Sequence, residues 1–584
     1  MQRISPKLAL VLTATVLLTR PLAAHARTNK LGKIDHFVII YQENHSFDNL
    51  YGGWEGVRGL SDADAAHTVQ KAQTGDAYSC LQQDDVNLTS PPLSVTCTDS
   101  RFGISSAFIN APFRIDDYIV PADHTCPPPN KFYANGIPKD APGALPGGCT
   151  RDIVHRFYQE QYQIDGGRMD RYVTGSDAIG LAMGYYDTTQ LPIYQYLHAP
   201  SHPKYAIADS FFQAAFGGSF LNHQWLIAAA SPLFANAAQS GAQDLHSVVD
   251  TNGFPNTYPL YAPTTTVKDS QLTVKCPSPV SGLACGDYAV NTTQPWFQPY
   301  SPGTPDFKRL PALTTPTIGD RLTHAGVDWA WYSGGWSNAA GDIGAPGWTN
   351  GTGPSCSDPN TIANAVFPNC PDNLFQFHHQ AFNYYAAFDP ATKAGQANRQ
   401  AHLRDEQEFL QLSQSSTRAV CNLKPVSFVK PIGEENEHPG YASQSQGNTH
   451  LVELIDAITS SACAKDTMII VTYDEFGGQW DHVPPPGQGH TMGSHDHWDH
   501  VPPGQGNTVG PHDQWGPGTR IPALIVTPFL RGNFVVDHTA YDTTSILATL
   551  EERYGLDALG SRDAAVADLS NVFDAEDNEH GKCD

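Results

Sequence analysis

The chain has 584 residues, 16% of them charged and 40% hydrophobic, with a formal net charge of −25. A surface that acidic repels nucleic acid and anionic membranes, so neither is expected as a partner. The 50 glycines and 45 prolines argue against a mainly helical chain and for long ordered loops on a large α/β domain.

Residues 1–26 read as a signal peptide. Arg3 and Lys7 precede an apolar stretch at 8–18, and Ala24-His25-Ala26 is an A-x-A-like cleavage site. The apolar run is too short for a membrane anchor, and Arg20 interrupts it. Export to the periplasm or beyond permits disulfides. Most of the cysteines fall into near neighbours, Cys80/Cys97, Cys126/Cys149, Cys276/Cys285, Cys356/Cys370 and Cys421/Cys463, with Cys583 left over. Spacing does not fix the pairing, but loop staples are expected, and the absence of C-x-x-C argues against a zinc cluster.

In chain order, residues 36–41 form an apolar strand that ends in Gln42-Glu43-Asn44-His45-Ser46-Phe47-Asp48, with Ser46 able to cap a helix. Residues 61–150 read as a loop-rich insertion. Residues 151–175 look helical up to the break at Gly166-Gly167, and 191–197 is a short helix. A strand is expected over 205–212. It leads into Gly217-Gly218-Ser219, with a helix from Phe220 onward. Ser219 therefore sits at a helix N-terminus, where free N–H groups and the helix dipole suit an anion, or where a serine simply caps.

Residues 235–305 read as a second insertion. Further strands are expected at 326–333, 426–429 and 521–526, and helices at 401–413, 447–460 and 543–554. His378-His379 and Asn436-Glu437-His438 fall between them. The run Thr467–Tyr473 is a buried strand ending in Asp474-Glu475, followed by Gly477-Gly478. Its continuation, Trp480-Asp481-His482-Val483-Pro484-Pro485, recurs from Trp498 as a local duplication, and residues 574–584 form an acidic tail. Strands alternating with helices imply an α/β fold with a mostly parallel sheet. In such sheets ligands bind beyond the carboxyl ends of the strands. Two strands far apart in sequence that each end in carboxylates suggest one site built from both.

Glu43-Asn44-His45-Ser46-Phe47-Asp48-Asn49-Leu50-Tyr51-Gly52 and Tyr473-Asp474-Glu475-Phe476-Gly477-Gly478-Gln479-Trp480-Asp481-His482 together resemble the bacterial phosphoesterase family of phospholipases C and secreted acid phosphatases. The resemblance covers residues 33–556 and includes Arg520-Ile521-Pro522-Ala523 and Tyr541-Asp542-Thr543-Thr544-Ser545. It implies a three-layer α/β/α sandwich with an alkaline-phosphatase-like core, here a catalytic domain over 27–573. It also implies one divalent metal ion surrounded by Glu43, Asn44, Ser219, Asp474 and Glu475, with His155, His438 and one of His378 and His379 facing the phosphate. Glu475 departs from an Asp-Asp pattern in close relatives. Gly217-Gly218-Ser219-Phe220-Leu221-Asn222 looks like the acid phosphatase branch, and the chain ends soon after Ser545. Both points favour a phosphatase over a phospholipase C.

The chemistry fits these residue types. Phosphate ester hydrolysis needs an in-line nucleophile, neutralised equatorial oxygens and a proton for the leaving group. The expected reaction is monoester hydrolysis through a metal-activated Ser219 and a phosphoserine intermediate. Oxygen ligands favour a hard cation such as Ca²⁺, Mg²⁺ or Mn²⁺. Protonated histidines would give an acidic optimum. A phospholipase C on the same core and an inactive binding protein are the alternatives.

Overall fold

The computed structural model describes residues 30–81, 96–119, 149–150, 152–249, 269–278, 282–301, 303–349, 371–372, 374–417, 419–488 and 510–575. The signal peptide, Cys126, Cys356, Cys370, Cys583, the second copy of the repeat and the tail beyond Ala575 lie outside the described residues.

Eight strands form the central sheet: β1 (His36–Gln42), β2 (Tyr205–Ala208), β3 (Trp329–Ser333), β4 (Leu403–Asp405), β5 (Val426–Lys430), β6 (Thr467–Tyr473), β7 (Ala523–Val526) and β8 (Phe534–Asp537). Their order is β4-β3-β5-β1-β6-β7-β2-β8. Neighbours run parallel except at β7, which is antiparallel to both β6 and β2. β5 and β6 are buried along their whole length, and β1 along all but His36. That is what a parallel sheet covered on both faces requires.

The covering helices include α1 (Phe157–Ile164), α2 (Pro192–Leu197), α3 (Ser219–Ala228), α4 (Ile318–His324), α5 (Glu406–Ser415), α6 (Gln444–Thr459) and α7 (Thr544–Tyr554). α6 packs against α2 and α5, and α3 packs against α4 and α7. These two groups form the outer layers of the α/β/α sandwich. Each helix follows from its sequence. In α6, Leu451, Leu454, Ile455 and Ile458 make one buried stripe, and Ser443 caps the start by accepting from Gln446 N at 3.1 Å.

Three expectations need correction. The helix expected over 401–413 is two elements: a helix ends at His402, and Leu403–Asp405 leaves it to pair as the edge strand β4 against Trp331–Ser333. Asp405 then caps α5, accepting from Gln407 N at 3.0 Å. Edge pairing overrides a helix-favouring composition there. The strand over 205–212 breaks at Asp209-Ser210, and Phe211-Phe212 pairs with Tyr541-Asp542 outside the main sheet. Cys80 and Cys97 are free thiols, whereas Cys276–Cys285 and Cys421–Cys463 are disulfides.

Candidate active site

Three adjacent strands deliver charge at one end of the sheet. The register sets Gln42 opposite Tyr473, so Glu43 and Asp474 emerge side by side. Ile40 lies opposite Val429, so Lys430 emerges beside Tyr41. Glu43, Asn44, Asp474 and Glu475 are all fully buried. The backbone ties the two motifs together: Asn44 N donates to Asp474 Oδ1 at 3.1 Å, and Glu43 N to Asn436 O at 3.0 Å. Asn44 adopts φ +63°, a left-handed conformation that asparagine tolerates better than most residues. Gly477 also has φ +63°, and a Cβ there would lie 2.2 Å from Asn44 O. Only glycine allows this approach.

Ser219 is the first helical residue of α3, with Gly218 in the cap position, so it is not the cap. Its Oγ donates to Glu43 Oε2 at 3.1 Å. The loop before it is clamped from below. Glu160 of α1 accepts from Gly217 N (2.5 Å), Thr519 N (2.7 Å) and Gln213 Nε2 (2.9 Å). Burial pushes this carboxyl up to about 8. Asn222, one turn into α3, donates to Ala215 O and Gly217 O at 3.0 and 3.2 Å.

The histidines converge on the same point. His438 Nδ1 lies 2.7 Å from Pro439 O, a pure acceptor, so Nδ1 carries the proton and Nε2 accepts from Asn44 Nδ2 at 3.1 Å. His155 is fixed alike by Ile153 O, with Nε2 3.4 Å from Asn44 Nδ2 and 3.3 Å from Glu475 Oε1. His379 Nε2 lies 3.3 Å from Glu43 Oε1, and the His378 ring packs edge-on against His379 at 4.4 Å. Burial holds His438 and His379 well below the usual imidazole range and lowers His378 to about 3. Burial thus disfavours the imidazolium form at these three positions.

Two residues in the cluster escaped the sequence reading. Lys430, 1% exposed, donates to Tyr41 O at 2.9 Å and pairs with Glu43 Oε1. The signal was there, since it is a charge at the end of an apolar strand, like Glu43 and Asp474. His223 follows Ser219 by one helical turn. Its Nδ1–H donates to Ser219 O at 2.8 Å, and its ring stacks on His379 with centroids 4.9 Å apart. That i, i+4 spacing on α3 could have found it.

Charge balance in the cluster favours a cation. Burial raises Glu43 and Glu475 well above the carboxylate range, and the neighbouring Asp474 raises both further. Asn44 Oδ1, Asp474 Oδ2 and Glu475 Oε1 are buried and make no hydrogen bond. Orphaned oxygens beside electron-rich carboxylates fit a hard divalent ion. Glu43, His223 and His379 also bring ligand atoms within 4.8 Å of one another.

Outside this cluster, Arg520 fastens the two motifs. Its Nη2 donates to Asp48 Oδ1 and its Nε to Asp481 Oδ1, both at 3.0 Å, and His482 Nδ1 pairs with Asp48 Oδ2 at 2.6 Å. Asp481 and His482 thus anchor the loop. His538 pairs with Asp209 at 2.7 Å, and Asp209 O accepts from Arg520 Nη1 at 2.8 Å.

Buried carboxylates, a helix-start serine and convergent histidines thus meet at the strand ends of a mostly parallel α/β sandwich. The sequence matches the phosphoesterase family over residues 34–557, and the chain belongs to that family. Curated relatives include phospholipase C B of Mycobacterium tuberculosis, 32% identical over 162 residues (26% of this chain, 29% of the relative). Non-hemolytic phospholipase C of Pseudomonas aeruginosa is 27% identical over 166 residues (26% and 23%). The matches span under a third of these relatives' length. Among solved structures, a protein in the alkaline phosphatase superfamily from Vibrio parahaemolyticus has a TM-score of 0.20 and 15% identity, covering 42% of this chain and 50% of that one. Among the described residues, no helix is long and apolar enough to cross a membrane.

Proposed function

We propose that Ser219 is the nucleophile of a phosphoric ester hydrolase whose substrates are phosphodiesters of the phospholipase C type. The observation that carries the nucleophile is the Ser219 Oγ–Glu43 Oε2 contact at 3.1 Å, at the positive end of a helix. The relatives named phospholipase C support the diester over the monoester that the sequence suggested. The serine at the start of α3 is the feature that keeps the monoester as a second reading.

Ser219 Oγ attacks phosphorus and loses its proton to Glu43, whose Oε2 already accepts from it. The Oγ–P bond forms as the P–O bond to the leaving alcohol breaks. His155 or His438, protonated at Nε2 as the anionic phosphate binds and Asn44 Nδ2 turns to it, supplies the leaving oxygen's proton. Asn44 Nδ2 and the His378 and His379 rings bind phosphoryl oxygens. Water then cleaves the phosphoserine, and Oγ regains its proton. Glu43, Asn44, Asp474 and Glu475 would hold a Ca²⁺, Mg²⁺ or Mn²⁺ ion, which when bound supplies Lewis acidity and offsets their charge.

The test uses purified protein with phosphatidylcholine vesicles and p-nitrophenyl phosphate, with and without divalent metal. Ser219→Ala is expected to lower kcat on the preferred substrate by about 10³-fold or more. Undiminished activity in that variant overturns the nucleophile. Hydrolysis of p-nitrophenyl phosphate alone moves the reading to the monoester.

A further inference from the structure

Behind the nucleophile, Glu43, His223 and His379 are all buried, and each brings a ligand atom within 4.8 Å of the others. His379 Nε2 lies 3.3 Å from Glu43 Oε1, and His223 Nε2 lies 3.9 Å from it. His223 commits its Nδ1–H to Ser219 O, so its Nε2 carries a lone pair. Neither Nε2 makes a hydrogen bond, and the two rings lie only 7° from parallel. Two imidazoles and one carboxylate are the donor set of a transition-metal site.

Lys430 reaches the same oxygen. From the end of β5 its ammonium pairs with Glu43 Oε1 and donates to Tyr41 O at 2.9 Å and Gln42 O at 3.4 Å. Three acceptors thus meet three N–H groups. The ammonium also lies 5.3 Å from the centre of the Tyr41 ring, a favourable cation–π distance. This hold divides the work of Glu43: Oε1 faces Lys430, and Oε2 accepts from Ser219 Oγ.

Charge argues that the ammonium and a metal ion exclude each other here. The three buried carboxylates Glu43, Asp474 and Glu475 are matched by one divalent ion and one ammonium. A second divalent ion next to Lys430 would leave a positive excess in a place with almost no solvent, where like charges repel strongly.

We propose that the Lys430 ammonium fills the seat of a second metal ion and so holds the site to a single divalent cation. Without Lys430, Glu43, His223 and His379 become a nitrogen-containing site for a cation such as Co²⁺ or Zn²⁺. With Lys430 in place, His379 carries no metal and its ring stays available to a phosphoryl oxygen. The inference rests on the reading of Asn44, Asp474 and Glu475 as ligands of one ion, and it is independent of Ser219 as nucleophile.

The test titrates the purified, metal-stripped protein with Co²⁺ and reads bound equivalents by elemental analysis and by visible absorption. Lys430→Met is expected to bind one equivalent more than the parent, with the stronger visible band of nitrogen-ligated Co²⁺. Adding His223→Ala to that variant should remove the extra equivalent. Differences between variants are read rather than totals, because His490, His495, His497 and His500 also offer ligands. No added equivalent in folded Lys430→Met, or one that survives His223→Ala, overturns the proposal. Should Lys430→Met fail to fold by thermal melting, His223→Ala in the parent decides. Its count should equal the parent's, and loss of an equivalent shows metal already seated beside Lys430, which overturns the proposal. Asp474→Asn should lose one equivalent. An unchanged count there overturns the single-ion reading and the proposal with it, whereas an unchanged count in Lys430→Met overturns the proposal alone.

Discussion

Lys430 and Glu43 meet in a place with almost no solvent, and their pairing decides how the carboxylate cluster is tolerated. Removing one partner of a buried ion pair leaves an uncompensated charge and costs about 3–5 kcal/mol. Lys430→Met is expected to lose that much stability in urea denaturation, and added Mg²⁺ or Ca²⁺ should restore part of it. Equal stability in the variant and the parent without metal would refute the pairing. Glu160 makes a quieter contribution. It has no route to the substrate, yet it accepts from the backbone just before Ser219. Glu160→Gln turns one acceptor into a donor facing other donors, so kcat should fall about 10–100-fold with KM nearly unchanged. At this scale the sequence was readable where residues came in pairs. Glu43-Asn44, Asp474-Glu475 and His378-His379 stood out as pairs and Ser219, His155 and His438 through the family resemblance, while Lys430 and His223 each stood in an otherwise ordinary strand or helix.

Among the elements, the sharp turn after β6 is the most exacting. The left-handed Gly477 lies against the left-handed Asn44, which joins the exits of β6 and β1. Gly477→Ala must push the two strand exits apart. It is expected to cost roughly 2–4 kcal/mol and to weaken metal binding measured by calorimetry more than it lowers Tm. The strands that build the site were legible because they are continuous apolar runs: Thr467–Tyr473 is a strand over that whole span, and His36–Gln42 extends the expected run by one residue. The edge of the sheet was not. Leu403–Asp405 has three residues and no alternating pattern, and its strand conformation comes from Trp331–Ser333 alongside. Phe534–Asp537 likewise earns its place only by pairing with β2.

At the scale of the whole molecule, charge links the packed helices α5 and α6. His450 on α6 lies 3.0 Å from Glu406, 3.7 Å from Glu435 and 3.5 Å from Glu453, and these carboxylates raise it to about 9 despite its burial. A raised histidine contributes stability that is fully present below the unfolded value of about 6.5 and lost as pH rises through about 9. His450→Asn should therefore cost about 1–3 kcal/mol at pH 6 and little at pH 9.5 in urea denaturation. An equal cost at both pH values would refute the ion cluster. The sheet also sets a timetable. β1 is bordered by β5 and β6, strands made some four hundred residues later. Contacts that distant form slowly and only after the intervening chain exists. A nascent chain that has emerged only as far as β5 holds Glu43, Ser219 and Lys430 but lacks Asp474 and Glu475. The buried carboxylate cluster is thus incomplete through most of the protein's own synthesis, and it is assembled only when the last quarter of the polypeptide joins the first.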